Sequence, residues 1–89
     1  MYAVMTVTGA DHTGIIAAVT AKLAELDINI LDVSQTIMDK WFTMILRVEL
    51  PESSSDVPAV QEAMTEVEKV QHLTIRIQSE ALFTAVNEV

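Results

Sequence analysis

Cysteine is absent from the 89 residues, which excludes disulfides, thiol redox chemistry and thiolate metal sites. Basic residues are scarce: five Lys and Arg face thirteen Asp and Glu, for a formal charge of −8. So few cations cannot track a phosphate backbone or hold to an anionic bilayer, so neither nucleic acid nor membrane is an expected partner. No apolar run approaches the roughly 18 residues needed to span a bilayer. The opening Met1-Tyr2-Ala3-Val4 lacks the basic region of a secretory leader, so a cytoplasmic location is expected. Aromatic residues make up only 4% of the chain and glycine stands at two positions, 9 and 14.

What the chain has is apolar aliphatic residue: 51% of it is hydrophobic, with a mean hydropathy of +0.36. Its length predicts one domain over residues 1–89 with a single core. A domain of this size leaves much of its surface exposed, and the apolar load predicts that part of it meets a partner subunit. A homodimer is the expected form.

Tyr2 to Thr8 is β-rich and reads as a strand. Ile15, Ile16, Val19, Leu23 and Leu26 recur at helical spacing, with Lys22 and Glu25 on the other side and Thr13 or Asp11 as the expected N-cap. Ile28 to Met38 is β-branched and apolar, Asp39-Lys40 is a tight reversal, and Trp41 to Leu50 alternates clearly. Phe42, Met44, Leu46, Val48 and Leu50 share one face; Thr43, Ile45, Arg47 and Glu49 share the other. A second helix is predicted from Ser55 or Asp56, with Pro58 in its first turn. Val57, Val60, Met64, Val67 and Val70 form its buried stripe, and Glu62, Glu66 and Glu68 face water. Leu73 to Gln78 alternates as a last strand, and Ser79 is placed to cap a short helix carrying Leu82, Phe83 and Val86. The order βαββαβ plus a helical tail predicts a ferredoxin-like α+β fold, with two helices on one face of a four-stranded antiparallel sheet. The other face has no predicted helix cover, so Ile45 and residues of the first strand are candidates for a subunit contact. Met5, Met38, Met44 and Met64 read as core filler.

Between the first strand and helix lies Gly9-Ala10-Asp11-His12-Thr13-Gly14. Two glycines allow close backbone approach, and the helix start contributes free N–H groups and partial positive charge. The N–H groups of Thr13 to Ile15 are therefore placed to hold a carboxylate. Asp11 works against a pure anion and favours a zwitterion. His12 reads as an exposed loop histidine, with no partners in the sequence for a catalytic or metal role. Asp32 reads as solvent-facing or paired with a cation, and His72 as a residue favouring the negative end of the second helix.

The run Gly9-Ala10-Asp11-His12-Thr13-Gly14-Ile15-Ile16-Ala17, followed by Leu26-Asp27-Ile28-Asn29-Ile30-Leu31-Asp32, resembles an ACT domain. Asp-x-x-Gly-Ile before the helix and Asn-Ile-x-Asp after it are the paired signal. Val33-Ser34-Gln35-Thr36-Ile37 and Trp41-Phe42-Thr43-Met44 are similar to the small stand-alone ACT proteins. The same pattern resembles the ACT modules of formyltetrahydrofolate deformylase and the glycine-cleavage regulator. The resemblance implies a module that binds an amino acid or similar effector and regulates a separate protein. It implies a site of Asp11, His12, Thr13, Gly14 and Ile15, completed by Asn29, Ile30 and Leu31 of a facing chain.

Neither a cofactor nor a metal site is expected, and the chain reads as non-enzymatic. Two other classes compete: an assembly subunit without a ligand, and a small hydrolase of the acylphosphatase type. The hydrolase needs an arginine in its phosphate-holding loop, where this chain has Asp11.

Overall fold

The computed structural model describes residues 1–52 and 56–87. Strand β1 (Tyr2–Ala10) leads to helix α1 (Ile15–Glu25), then the hairpin β2 (Asn29–Met38) and β3 (Trp41–Glu49). Helix α2 (Val57–Gln71), strand β4 (Leu73–Ser79) and helix α3 (Glu80–Asn87) follow. The sheet order is β2-β3-β1-β4, every neighbouring pair antiparallel. This is the ferredoxin-like βαββαβ arrangement with a helical tail, as the sequence predicts.

Alternation decides which side of the sheet is buried. Phe42, Met44, Leu46 and Val48 of β3 are buried while Trp41, Thr43, Ile45 and Arg47 are exposed. Ala3, Met5 and Val7 of β1 and Leu73, Ile75 and Ile77 of β4 join them. From the helices, Ile15, Val19 and Leu23 of α1 and Val60, Met64 and Val67 of α2 close the core. Each of these Val, Leu, Ile, Phe or Met side chains, fully buried, contributes about 1.5–3 kcal/mol of transfer free energy.

The helix ends follow local chemistry. Asp56 caps α2 by accepting from the Ala59 N–H, with Pro58 in the first turn; Ser55, the other candidate start, lies outside the described residues. His72 ends α2 in the left-handed region, φ 55°, its N–H donating to the Glu68 carbonyl. Asp27, also left-handed, closes α1 as the Asp27 and Ile28 N–H groups donate to Ala24 and Leu23. The Ser79 hydroxyl accepts from the Leu82 N–H at 3.1 Å and caps α3 as expected. Val86 lies outside the described side chains.

The two sheet edges differ. On β4, the Gln61 amide donates to the Ile75 carbonyl at 2.7 Å and accepts from the Ile77 N–H at 3.0 Å. Glu68 accepts from the Ile75 N–H at 2.9 Å and from Arg76 at 3.1 Å. Side chains of α2 thus take the place of a fifth strand. On β2, Ile30 is half-buried and every other residue is exposed. Leu31 is an extra residue there: Ile30 pairs with Val48 and Asp32 with Arg47, a bulge between them.

Four expectations need correction. Glu68 does not face water, because it lies four residues past Met64, beside the buried stripe and within reach of β4. Val70 is 66% exposed; at the end of α2 it borders an open cleft between the helices. Met38 is 72% exposed, since it pairs with Trp41 on the face away from the helices. That face is also not bare. Helix α3 packs on β1 and β4, held by a Glu80–Arg47 ion pair of 2.7 Å, and the hydrogen bond from Arg47 keeps the Glu80 carboxyl below its usual range.

Candidate functional site

The loop between β1 and α1 is held at two points. The Asp11 N–H donates to the Lys40 carbonyl at 2.7 Å, joining the loop to the β2–β3 turn. His12 joins it to α2: Nε2 lies 2.9 Å from the Gln71 carbonyl oxygen and Nδ1 3.1 Å from that of Thr13. Both ring nitrogens thus face acceptors, which only the doubly protonated imidazolium can satisfy at once. The Gln71 carbonyl, then that of Thr13, with a smaller contribution from the Asp11 charge, raises the His12 pKa from its ordinary value. His12 is exposed, as expected, yet engaged at both ring nitrogens.

Gly14 is the N-cap of α1, with φ 95° and no side-chain cap bond. The expectation that Thr13 or Asp11 caps the helix is therefore wrong: the left-handed glycine turns the chain so sharply that neither side chain reaches the helix start. The first intrahelical bond runs from the Ala18 N–H to the Gly14 carbonyl. The N–H groups of Ile15, Ile16 and Ala17 precede it and lack intrahelical partners. A Cβ on Gly14 would meet nothing within 4 Å, so its demand is conformational. Gly9 is the close-approach glycine: a Cβ there would stand 2.8 Å from Leu73 Cδ2 and 3.1 Å from the His72 carbonyl oxygen.

A cleft of about 370 Å³ opens beside this turn, lined by Asp11, His12, Thr13, Gly14, Ile15, Ile16, Ala17, Gln35, Ile37 and Phe42. Five of the eight expected site residues, Asp11 to Ile15, are together. The chain's own Asn29, Ile30 and Leu31 are not, because Asn29 pairs with Glu49, which pairs with Tyr2 at the opposite end of the sheet. Strand parity carried a signal for Gln35 and Ile37. They share the helix-side parity of β2 with Val33, and Gln35 is the polar residue in that row. Among the described residues no cluster of three or more His, Asp or Glu is placed to hold a metal ion. Nor is any helix long and apolar enough to cross a membrane.

Residues 1–78 match the family model described as the ACT domain. The chain belongs to the ACT domain family. This ACT domain is 70% identical over 89 residues to a UPF0237 protein of Corynebacterium glutamicum, with 100% of both chains covered. An ACT domain protein from Streptococcus pneumoniae superposes with a TM-score of 0.83 and 38% identity, covering 93% of each chain. A formyltetrahydrofolate deformylase from Pseudomonas putida shares the ACT fold at a TM-score of 0.80 and 12% identity. There the match covers 89% of this chain and 29% of that one.

Proposed function

We propose that this ACT domain, spanning residues 1–89, is a non-catalytic regulatory module. It binds a small amino acid or related zwitterion at the β1–α1 turn and acts on a separate protein. The observation that carries the reading is the cleft itself. Unpaired N–H groups at the start of α1 border it beside the Asp11 carboxylate, so donors for a carboxylate and an acceptor for an ammonium group lie together. Its volume, about 370 Å³, falls near the lower end of ligand clefts, roughly 300–1,000 Å³.

The unprotected β2 edge supports a site shared between two copies. Exposed edge strands with few charges pair readily with another chain, and Asp32 is the charged residue of β2. Antiparallel pairing of two β2 strands about a two-fold axis at Ser34 opposes residues of the same sheet face and sets the start of one strand beside the end of the other. Asn29, Ile30 and Leu31 of a second copy then stand next to Ile37, at the rim of the cleft. The separation that parts these residues within one chain disappears in the pair.

Calorimetric titration with the common amino acids tests the reading. One of them binds, and Asp11→Ala weakens it by roughly 1–3 kcal/mol, the scale of a lost charged partner, without unfolding the protein. If none binds and none raises the melting temperature, as a ligand of the folded state must, the turn is structural and the chain is an assembly subunit.

A further inference from the structure

We infer that the seam between α1 and α2 is a docking groove for a basic amphipathic helix of the protein that this module regulates. The inference rests on the regulatory reading above. A cavity of about 220 Å³ opens along the seam, walled by Ala18, Ala21, Val67 and Val70. It is a trough because α1 turns alanine toward α2, where longer side chains would close the gap. Val70 stands at its lip, 66% exposed, an apolar residue that the core does not use. A smaller hollow of about 100 Å³ lies where the end of α1 meets the start of α2, beside Leu26 and Ala59.

Shape favours a helix. The Lys22–Glu66 bond and the Leu26–Ala59 hollow set α1 and α2 antiparallel, so the trough runs along both axes. Helix α1 has 11 residues, about 16 Å at 1.5 Å per residue. A third helix can nest there for about three turns, with apolar anchors at i, i+3, i+4 and i+7. The alanines let its backbone come close.

Charge selects the occupant. Glu25 and Glu66 border the groove with side chains 71% and 75% exposed, while Lys22, 16% exposed, reaches them at 3.8 and 3.2 Å. One drawn-in cation against two outward carboxylates leaves the rim negative, on a chain of charge −8. Nucleic acid and anionic lipid are repelled. A second copy fits no better, because its amphipathic tail α3 carries Glu80 and neither Lys nor Arg. A helix whose apolar stripe is flanked by Lys or Arg matches both the walls and the rim. The groove is small, so the docking is reversible rather than permanent.

Position joins the groove to the ligand turn. Gln71 lines the groove, and its carbonyl oxygen meets His12, which lines the cleft beside the turn. Ala17 borders that cleft and Ala18 the groove. A ligand that shifts the turn therefore moves one wall of the groove, and a docked helix acts back on the ligand with equal coupling.

The test titrates the full isotope-labelled chain with a synthetic helical peptide of about four turns, bearing a leucine stripe flanked by lysines. Amide shifts should concentrate at Ala18, Ala21, Val67 and Val70 and saturate. Val70→Glu separates docking from simple attraction. It makes the chain more acidic, so attraction alone would tighten binding. Docking should instead weaken about tenfold, as a carboxylate is forced under the leucine stripe. Val70 is exposed, and circular dichroism checks that the variant folds. Glu66→Gln should weaken the peptide about threefold, whereas Glu49→Gln, which removes the same charge from β3, should not. Shifts scattered over the acidic surface, or a peptide held no less tightly by Val70→Glu, overturn the docking. So does a mass that rises with concentration and moves the same amides without peptide, since a second copy then fills the groove. An amino acid that binds at the turn while the peptide fails overturns the groove alone. Failure of both overturns the regulatory reading with it.

Discussion

The imidazole Nε2 of His12 stands 2.9 Å from the carbonyl oxygen of Gln71, tying the loop after β1 to the last turn of α2 across 59 residues of sequence. The bond has a pH signature. The His12 pKa is raised in the folded state, so the folded protein holds this proton more tightly than the unfolded chain does. The stabilisation is fully present below the unfolded value of about 6.5 and is lost as pH rises through the raised folded value. A ring-proton NMR titration should place His12 above 6.5. Urea midpoints of wild type and His12→Ala should differ in acid and converge at higher pH. A His12 pKa at or below the ordinary value would show that the two carbonyl contacts do not hold the cation.

Gln61 substitutes for a neighbouring strand along β4. Replacing it with Met keeps the volume but leaves the Ile77 N–H without its partner and the Ile75 carbonyl with the Arg76 guanidinium alone. The expected loss is about 1–3 kcal/mol, read from urea denaturation, with faster amide exchange at Ile77. Unchanged exchange there would mean that water replaces the amide at no cost.

The two glycines should respond differently to substitution. Gly14→Ala should cost about 1–2 kcal/mol for a left-handed backbone alone, and Gly14→Asn less, because asparagine tolerates that region. Gly9→Ala is a packing change. The Leu73 side chain can swing away from the new methyl but the His72 carbonyl cannot, so a loss of about 1–3 kcal/mol is expected. Thermal denaturation of Gly9→Ala with Leu73→Ala should show less than the sum of the two single losses.

Met64 and Val70 were expected on one buried stripe, and only one of them is buried. Met64→Ala should cost roughly 2–5 kcal/mol as a core truncation. Val70→Ala should fall within about 0.5 kcal/mol of wild type. Equal losses in chemical denaturation would contradict the exposure of Val70.

The sheet was legible because Phe42 to Val48 alternates apart from Ile45 and because helical spacing marks Ile15, Val19 and Leu23. The exceptions share a cause. Glu68 and Gln61 lie on the flank of α2 that faces β4, where polar groups are needed because an edge strand has backbone to satisfy; polarity alone reads as solvent exposure. Met38 belongs to the face away from the core, and hydrophobicity cannot tell that face from the buried one. At the site, Asp11 to Gly14 stood out as a local pattern. The Gln71 carbonyl and the Lys40 carbonyl that hold them did not, since any residue supplies a carbonyl and only the fold brings these two to the loop.

The bulge at Leu31 makes β2 tolerant of a change in length. In a regular strand, deleting one residue turns every side chain beyond it to the opposite face. In β2 the extra residue lies outside the ladder: Ile30 already opposes Val48 and Asp32 already opposes Arg47. Losing Leu31 would join these pairs directly and leave Val33, Gln35 and Ile37 facing the helices as before. The same loss would straighten the outer edge and, in the proposed β2 pairing, draw the Asn29 end of the strand one step toward its mate. A single-residue deletion here would therefore spare the fold while resetting the distance between the two halves of the proposed two-chain site.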